Sequence, residues 1–309
     1  MSITHVETMF DARKTPWAGL GKDISGAVGS EEAIKQAGLD WDVVQSDVYT
    51  SDLNKAAGYK INIRSTDGKV LGVVTDRYKI VQNREAFAFT DALLGEGVKY
   101  ETAGSLNNGK RVWMLAKLEG RLMTDEKIDP YLVFSNSHDG TGAIRVAITL
   151  VRIWCQNTLN LALRTANRQW SCIHKGKIGD KMVEAKATLM NADHYLKQLE
   201  EEFGKLKLQR LTDDQVMDYI NKLFPIDEGQ TETKARNMLS RRRDVEERYF
   251  DAPDLKVLEK SKFRLINAVS DMATHMLPVR KTVNYQENLF MKTVDGNGII
   301  DKAYAMLNE

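Results

Sequence analysis

Proline is scarce in this chain, at five residues in 309, and there are only two cysteines, Cys155 and Cys172. Little proline, ordinary glycine and no low-complexity stretch exclude an extended disordered polypeptide. Two cysteines make no disulfide framework. One follows the apolar pair Ile153-Trp154 and the other falls in an expected strand, which suits reduced, buried thiols. No apolar run approaches the roughly 18 residues of a membrane helix, and Met1–Leu20 has no apolar core of signal-peptide length, so the expected location is cytoplasmic. The histidines, His5, His138, His174, His194 and His275, are scattered, without the close Cys/His spacing of a zinc site. Neither a metal nor any other cofactor is expected. The 42% hydrophobic content is ordinary for a globular core, and the length allows one large domain or two of usual size.

A more telling absence is local. Between Thr141 and Lys177 there is no Asp or Glu, while Arg145, Arg152, Arg164, Arg168, Lys175 and Lys177 all occur there. Cations without nearby carboxylates create a positive potential, and a polyanion such as nucleic acid is the usual partner of such a surface. The opposing reading is that carboxylates from other segments fold over the run and neutralise it. The near-zero net charge, +1, says little here because charge is unevenly spread. Residues 1–50 carry eight acidic and four basic side chains, whereas residues 51–180 carry nineteen basic and thirteen acidic ones.

The pattern of elements predicts an α+β fold, an antiparallel β-meander packed with helices and followed by a helical C-terminal part. After an N-terminal coil, a short helix is expected from Ser30 as N-cap to Gly38, then strands at Trp41–Tyr49, Tyr59–Arg64 and Val70–Thr75. Asn83 stands where the N-cap of a helix over Arg84–Leu94 belongs. Tyr100–Leu106 and Arg111–Leu118 flank Asn107-Asn108-Gly109, whose residues supply the positive φ angles of a tight hairpin. Strands at Tyr131–Asn136 and Ile144–Val151 follow, joined through His138-Asp139-Gly140-Thr141-Gly142, then a helix over Gln156–Ala166 and a strand at Gln169–His174. Helices are expected over Val183–Leu206, Val216–Phe224, Thr231–Phe250 and Leu255–Met276, with Thr212 and Gln215 as a capping box. A boundary near Gly179 would separate a mixed domain, 1–179, from a mainly helical region, 180–309.

Few motifs suggest bond chemistry. Asp139-Gly140-Thr141-Gly142 lacks the Lys and the following helix of a phosphate loop, and a strand follows instead. His138 beside Asp139 is no catalytic relay, because neighbours in an extended chain face opposite ways. Asp125, Glu126 and Asp129 read as a solvated loop, and no enzyme is expected. Arg241-Arg242-Arg243 precedes Asp244, Glu246 and Glu247, so that helix is expected to neutralise itself. Trp154 reads as core. Trp113 shares its strand face with Arg111 and Lys117 and is the candidate for stacking on bases.

Trp17-Ala18-Gly19-Leu20-Gly21, Val81-Gln82-Asn83 before an aromatic-rich helix, and Val151-Arg152-Ile153-Trp154-Cys155-Gln156-Asn157-Thr158-Leu159 resemble a phage- and plasmid-encoded family catalogued as domain of unknown function 932. The resemblance spans most of residues 10–280. It departs at Val283-Asn284-Tyr285-Gln286-Glu287-Asn288, where the family commonly has an aromatic-asparagine-alanine-valine stretch. It implies a mobile-element origin and no established activity. The order helix, β-meander, helix is also similar to the core of single-strand annealing proteins of the Rad-fifty-two-like superfamily, an analogy of topology.

Together these readings lead to ATP-independent binding of single-stranded DNA and annealing of complementary strands in phage or plasmid recombination. Lys110, Arg111, Lys117, Arg145, Arg152, Arg164, Arg168, Lys175 and Lys177 are the expected phosphate contacts, with Arg152 set apart because its strand parity places it among core residues. One subunit would hold few nucleotides, so a ring or filament of identical subunits is expected, with a recombination protein of phage or host as a further partner. The alternative is a non-catalytic mobile-element protein acting on a host defence protein.

Overall fold

The computed structural model describes residues 6–12, 22–23, 26, 28–95, 98–118, 128–152, 169–190, 192–276, 292 and 297–308. Two antiparallel sheets and a helical C-terminal part make an α+β fold. The larger sheet is built from β1 (Val6–Asp11), β2 (Lys22–Asp23), β6 (Tyr100–Leu106), β7 (Arg111–Lys117), β8 (Ile128–Ser137), β9 (Ile144–Arg152) and β10 (Gln169–Cys172). Its order is β10-β9-β8-β7-β6-β1-β2, antiparallel throughout except the short parallel pair of β1 and β2. The smaller sheet joins β3 (Val43–Tyr49), β4 (Lys55–Arg64) and β5 (Val70–Thr75) in sequence order.

The meander arises where the turn chemistry is strongest. Asn107, Asn108 and Gly109 take φ of 53°, 61° and 83°, the left-handed region that asparagine and glycine tolerate best, and Leu106 faces Arg111 across the turn. β1 falls in a stretch read as coil. It pairs with β6 nearly a hundred residues away, and Gly104 makes the pairing possible, since a Cβ there would stand 2.3 Å from the Thr8 carbonyl oxygen.

Helices α1 (Ser30–Gln36) and α2 (Asn83–Leu94) lie against the larger sheet. Phe87 of α2 meets Tyr100 with ring centroids 4.9 Å apart, and the Tyr100 hydroxyl donates to Asp91 at 2.7 Å. Both expected caps shift by one residue. Gly29 caps α1, and Gln82 caps α2 in a reciprocal box with Glu85. Asn83 is instead buried, its side-chain amide donating to the carbonyls of Leu39 at 3.0 Å and Trp41 at 3.3 Å.

The C-terminal helices are α3 (Ile178–Met190), α4 (Ala192–Leu208), α5 (Asp213–Leu223), α6 (Glu232–Asp251), α7 (Pro253–Lys256), α8 (Lys262–His275) and α9 (Gly298–Leu307). Val183–Leu206 is thus covered by two helices, and so is Leu255–Met276, where Ser261 caps α8 by accepting from the Arg264 amide. The Thr212–Gln215 box forms as expected. Phe203 of α4 packs edge-on against Phe263 of α8, with centroids 5.2 Å apart, and one contiguous apolar core includes residues of both sheets and of these helices. α6 pairs charges within itself, Glu232 with Arg236 and Asp244 with Arg248, but Arg242 does not take part. It donates to the Phe224 carbonyl at 2.8 Å and the Asn221 carbonyl at 3.2 Å, capping the end of α5, while Asp244 pairs with Arg248.

Among the described residues no helix is long and apolar enough to cross a membrane.

Candidate nucleic-acid interface

The smaller sheet packs on the turn end of the larger one, and buried polar contacts hold the two together. Asn62 of β4 donates to the His138 carbonyl at 2.7 Å, the Tyr78 hydroxyl donates to the Ser137 carbonyl, and Asn136 donates to the Val81 carbonyl at 2.9 Å. Arg64 of β4 grips both oxygens of Glu7 in β1, at 2.8 and 2.9 Å, and also binds Asp67. Hydrogen bonds to Asp67 and Glu7 raise the Arg64 pKa above its ordinary value, and the Asp67 carboxyl is held down to about 2 chiefly by Arg64. Close approach is enforced by glycine: a Cβ at Gly72 would stand 2.6 Å from the Asp139 Cα, and one at Gly140, where φ is +79°, 2.9 Å from Val74 Cγ1.

Where β5, the β8–β9 turn and the end of β10 meet, they leave a cleft of about 550 Å³. Val73, Val74 and Thr75 form one wall, Gly140, Thr141, Gly142 and Ala143 the turn side, and Ile173, His174 and Lys175 the far side, with Tyr78 and Arg145 also lining it. The turn is organised by Asp139. Burial alone would raise its carboxyl pKa, but the Ser137 hydroxyl at 2.6 Å, the Thr141 hydroxyl and amide at 2.7 and 2.9 Å, and the Arg111 cation together hold it below the usual range.

Cations from separate segments converge here. Arg111 lies opposite Ser137 at the start of β7, and its guanidinium would stand 3.0 Å from a Cβ on Gly142. Arg145, the second residue of β9, lies between Ser135 and Ser171. Burial, and then the neighbouring Arg111 cation, push the Arg145 pKa down from its ordinary value. The Lys110 carbonyl accepts from the His138 amide at 2.7 Å, which brings the β6–β7 turn beside the β8–β9 turn. Lys175 and Lys177 are exposed on the loop after β10.

Two histidines lie beneath. His138 is fully buried, edge-on to Trp41 at 5.4 Å, with Nε2 bonded to Asn83 Oδ1 at 3.1 Å. Because the Asn83 amide nitrogen already donates to two carbonyls, Nε2 is the donor in that bond. His174 is 3% exposed, stacks on Tyr78 with centroids 4.4 Å apart, and donates through Nδ1 to the Lys79 carbonyl at 2.9 Å. Burial lowers both imidazole pKa values, that of His138 to about 3, so both rings are neutral near pH 7.

Other expected contacts are not brought together. Trp113 is only 2% exposed, so no base can stack on it, and both faces of β7 are buried around Met114 and Leu115. This corrects its assignment as a stacking platform, because the strand is central rather than solvent-facing. Lys117 is paired with the buried Asp129 at 2.7 Å, so its charge is spent within the fold. Arg164 and Arg168 lie outside the described residues, as do Cys155, Trp154, the expected helix over 156–166 and the Trp17–Gly21 motif; Arg152 is described only as the end of β9. His174, Tyr78, Val73 and Ile173 were missed as site residues. His174 ends an expected strand, but its partner segments are nearly a hundred residues away.

A family profile described as domain of unknown function (DUF932) matches residues 70–292, a range that contains all the lining residues of this cleft. No curated protein and no solved structure matches the chain.

Proposed function

The chain belongs to the family of domain of unknown function 932, and from that premise we propose that it binds single-stranded DNA without ATP and promotes the pairing of complementary strands. The observation that carries this reading is the meeting of Lys110, Arg111, Arg145 and Lys175 from three segments at the turn end of the larger sheet, with Lys177 two residues further on. The carboxylate in their midst, Asp139, is held by Ser137 and Thr141 and interacts with Arg111, so it offsets part of this positive charge. Such a surface gains affinity by displacing counterions from a phosphate backbone, and it leaves base edges free to test a partner strand. No bond is made or broken in annealing, so the reading requires no nucleophile, metal or nucleotide hydrolysis. The likeness to Rad-fifty-two-like annealing proteins, a phage or plasmid setting, a ring or filament of subunits and a cytoplasmic location all belong to this proposal.

The test is a fluorescence assay with two complementary oligonucleotides and the full chain, without nucleotide or metal, across a salt series. The expected result is accelerated pairing that fades with salt. Single-strand affinity should fall with a log–log slope of about −3.5 if five cations each meet a phosphate, at about −0.7 per contact. No acceleration and no single-strand binding at low salt would overturn the proposal and favour a non-catalytic protein that engages a host factor.

A further inference from the structure

Among the described residues nothing covers the outer side of the smaller sheet. Alternation along its strands turns Val43, Arg64 and Leu71 inward, where they are buried, and leaves two cross-strand rows outside, Val44–Ile63–Val70 and Ser46–Ile61–Val73. Tyr59 lies beyond them, opposite Thr75. Val44, Tyr59, Val70 and Val73 are each about half exposed, between 48% and 55%. An antiparallel sheet open to water ordinarily carries polar side chains on that side, yet no charged residue belongs to these rows. The same alternation places Arg64, Lys60 and Asp47 on the inner side, and each is paired there, Arg64 with Glu7 and Asp67, Lys60 with Asp47. A contiguous apolar face of this kind marks a contact surface.

A second observation comes from the hairpin that bears the face. Leu53, in the turn between β3 and β4, has φ of 59° and is 83% exposed. Asparagine or glycine would occupy the left-handed region at less cost. A strained apolar residue held out in solvent points to a contact beyond the single chain.

The face itself narrows the occupant. It offers no cation to a phosphate backbone. A lipid surface wants free lysines or arginines beside the apolar side chains, whereas Lys55 and Lys60 are both paired with Asp47. A second copy of the chain fits: near a two-fold axis each residue meets its own counterpart, which an uncharged face permits and a charged one opposes. Three strands about 4.8 Å apart, each with about six residues at about 3.3 Å, give a projected face of roughly 300 Å², and the two-stranded end of the hairpin adds roughly 150 Å². Two copies together bury roughly 900 Å², just under the ~1,000 Å² of a lasting interface, so the contact is weak and reversible.

We infer that two copies of this chain pair through the outer faces of their smaller sheets, sheet on sheet about a two-fold axis. An isologous contact closes on itself, so it makes a dimer, and a ring or filament needs another contact as well. The inference stands apart from the nucleic-acid reading, because it is the inner side of this sheet that meets the turn end of the larger one.

The experiment is sedimentation velocity of the full chain without DNA, from about 1 to about 200 µM, the range in which a contact of this size associates. The chain should pass from monomer to dimer across that range. Val44→Glu with Tyr59→Glu sets like charges against each other and should weaken association at least tenfold. A chain that stays monomeric throughout, leaving the face to a different partner, or a dimer that survives both substitutions, overturns the inference. Should that variant misfold by circular dichroism, Val44→Thr with Val70→Thr keeps the shape and β-branching of the face and should weaken the dimer at least threefold. An unchanged dissociation constant then overturns the inference. Dimerisation without strand binding upholds the pairing and removes the annealing proposal, whereas strand binding by a chain that never dimerises does the reverse.

Discussion

His138 shows how a single residue ties the fold to pH. Its ring has no exposed surface, and its contacts are Asn83 and Trp41, so the charged form has no solvent to hold it. With a native pKa of about 3, the folded chain refuses a proton that the unfolded chain takes up near pH 6.5. Below that point the unfolded state binds more protons, and stability falls with pH by about 1.4 kcal/mol per unit. His174 acts in the same direction, because its pKa is also lowered. Urea unfolding at pH 7 and pH 5 should therefore give a clearly lower midpoint at pH 5. A flat profile over that window would mean that His138 is solvated in the folded chain. Nothing in the sequence marks this histidine, since His138-Asp139 in a turn reads as surface, whereas the smaller sheet covers it.

At the scale of elements, Gly72 is the position on which the joint between the two sheets depends. It lies in β5, where its missing Cβ lets the Asp139 backbone approach, and any Cβ would stand 2.6 Å from the Asp139 Cα. Because the obstacle is backbone rather than a flexible side chain, Gly72→Ala should cost about 1–3 kcal/mol as overpacking. Chemical denaturation measures this directly, and an unchanged midpoint would show that β5 slides freely over the β8–β9 turn. The Asn107-Asn108-Gly109 turn needs no such partner. Its left-handed φ angles are legible from residue type, which is why β6 and β7 were read closely from sequence while β1 was not. The division of Leu255–Met276 was hidden by continuous apolar spacing, and only the Ser261 cap and the bridge from Arg210 to Ser261 reveal it.

For the whole molecule, the question is whether the cations at the turn end act as one surface. Lys175 and Lys177 are exposed on a loop, so reversing both should leave the fold intact. Lys175→Glu with Lys177→Glu is expected to lower single-strand affinity at least tenfold at low salt. The salt slope should become shallower by about 1.4, two contacts at about 0.7 each. Anisotropy titrations at several salt concentrations read both quantities, and an unaltered slope would remove this loop from the interface. The outer face of the smaller sheet also exposes Val44, Tyr59, Val70 and Val73.

By itself the sequence determined the α+β class, the meander, the hairpin turn and the basic character of the segment after Thr141, because these follow from residue type and from spacing along the chain. Tertiary structure alone decided which cations share a surface. Lys117 and Arg145 both stand at strand ends with similar neighbours, yet one is paired with a buried carboxylate from the next strand and the other lines a cleft beside Arg111. Trp113 was the candidate for stacking and is core, because its strand lies between β6 and β8 and is buried on both faces. His174 came to lie beside β5 and the β8–β9 turn only in the folded chain. Period and propensity are local, whereas burial and charge compensation depend on segments a hundred residues apart, and there the sequence has no pattern to read.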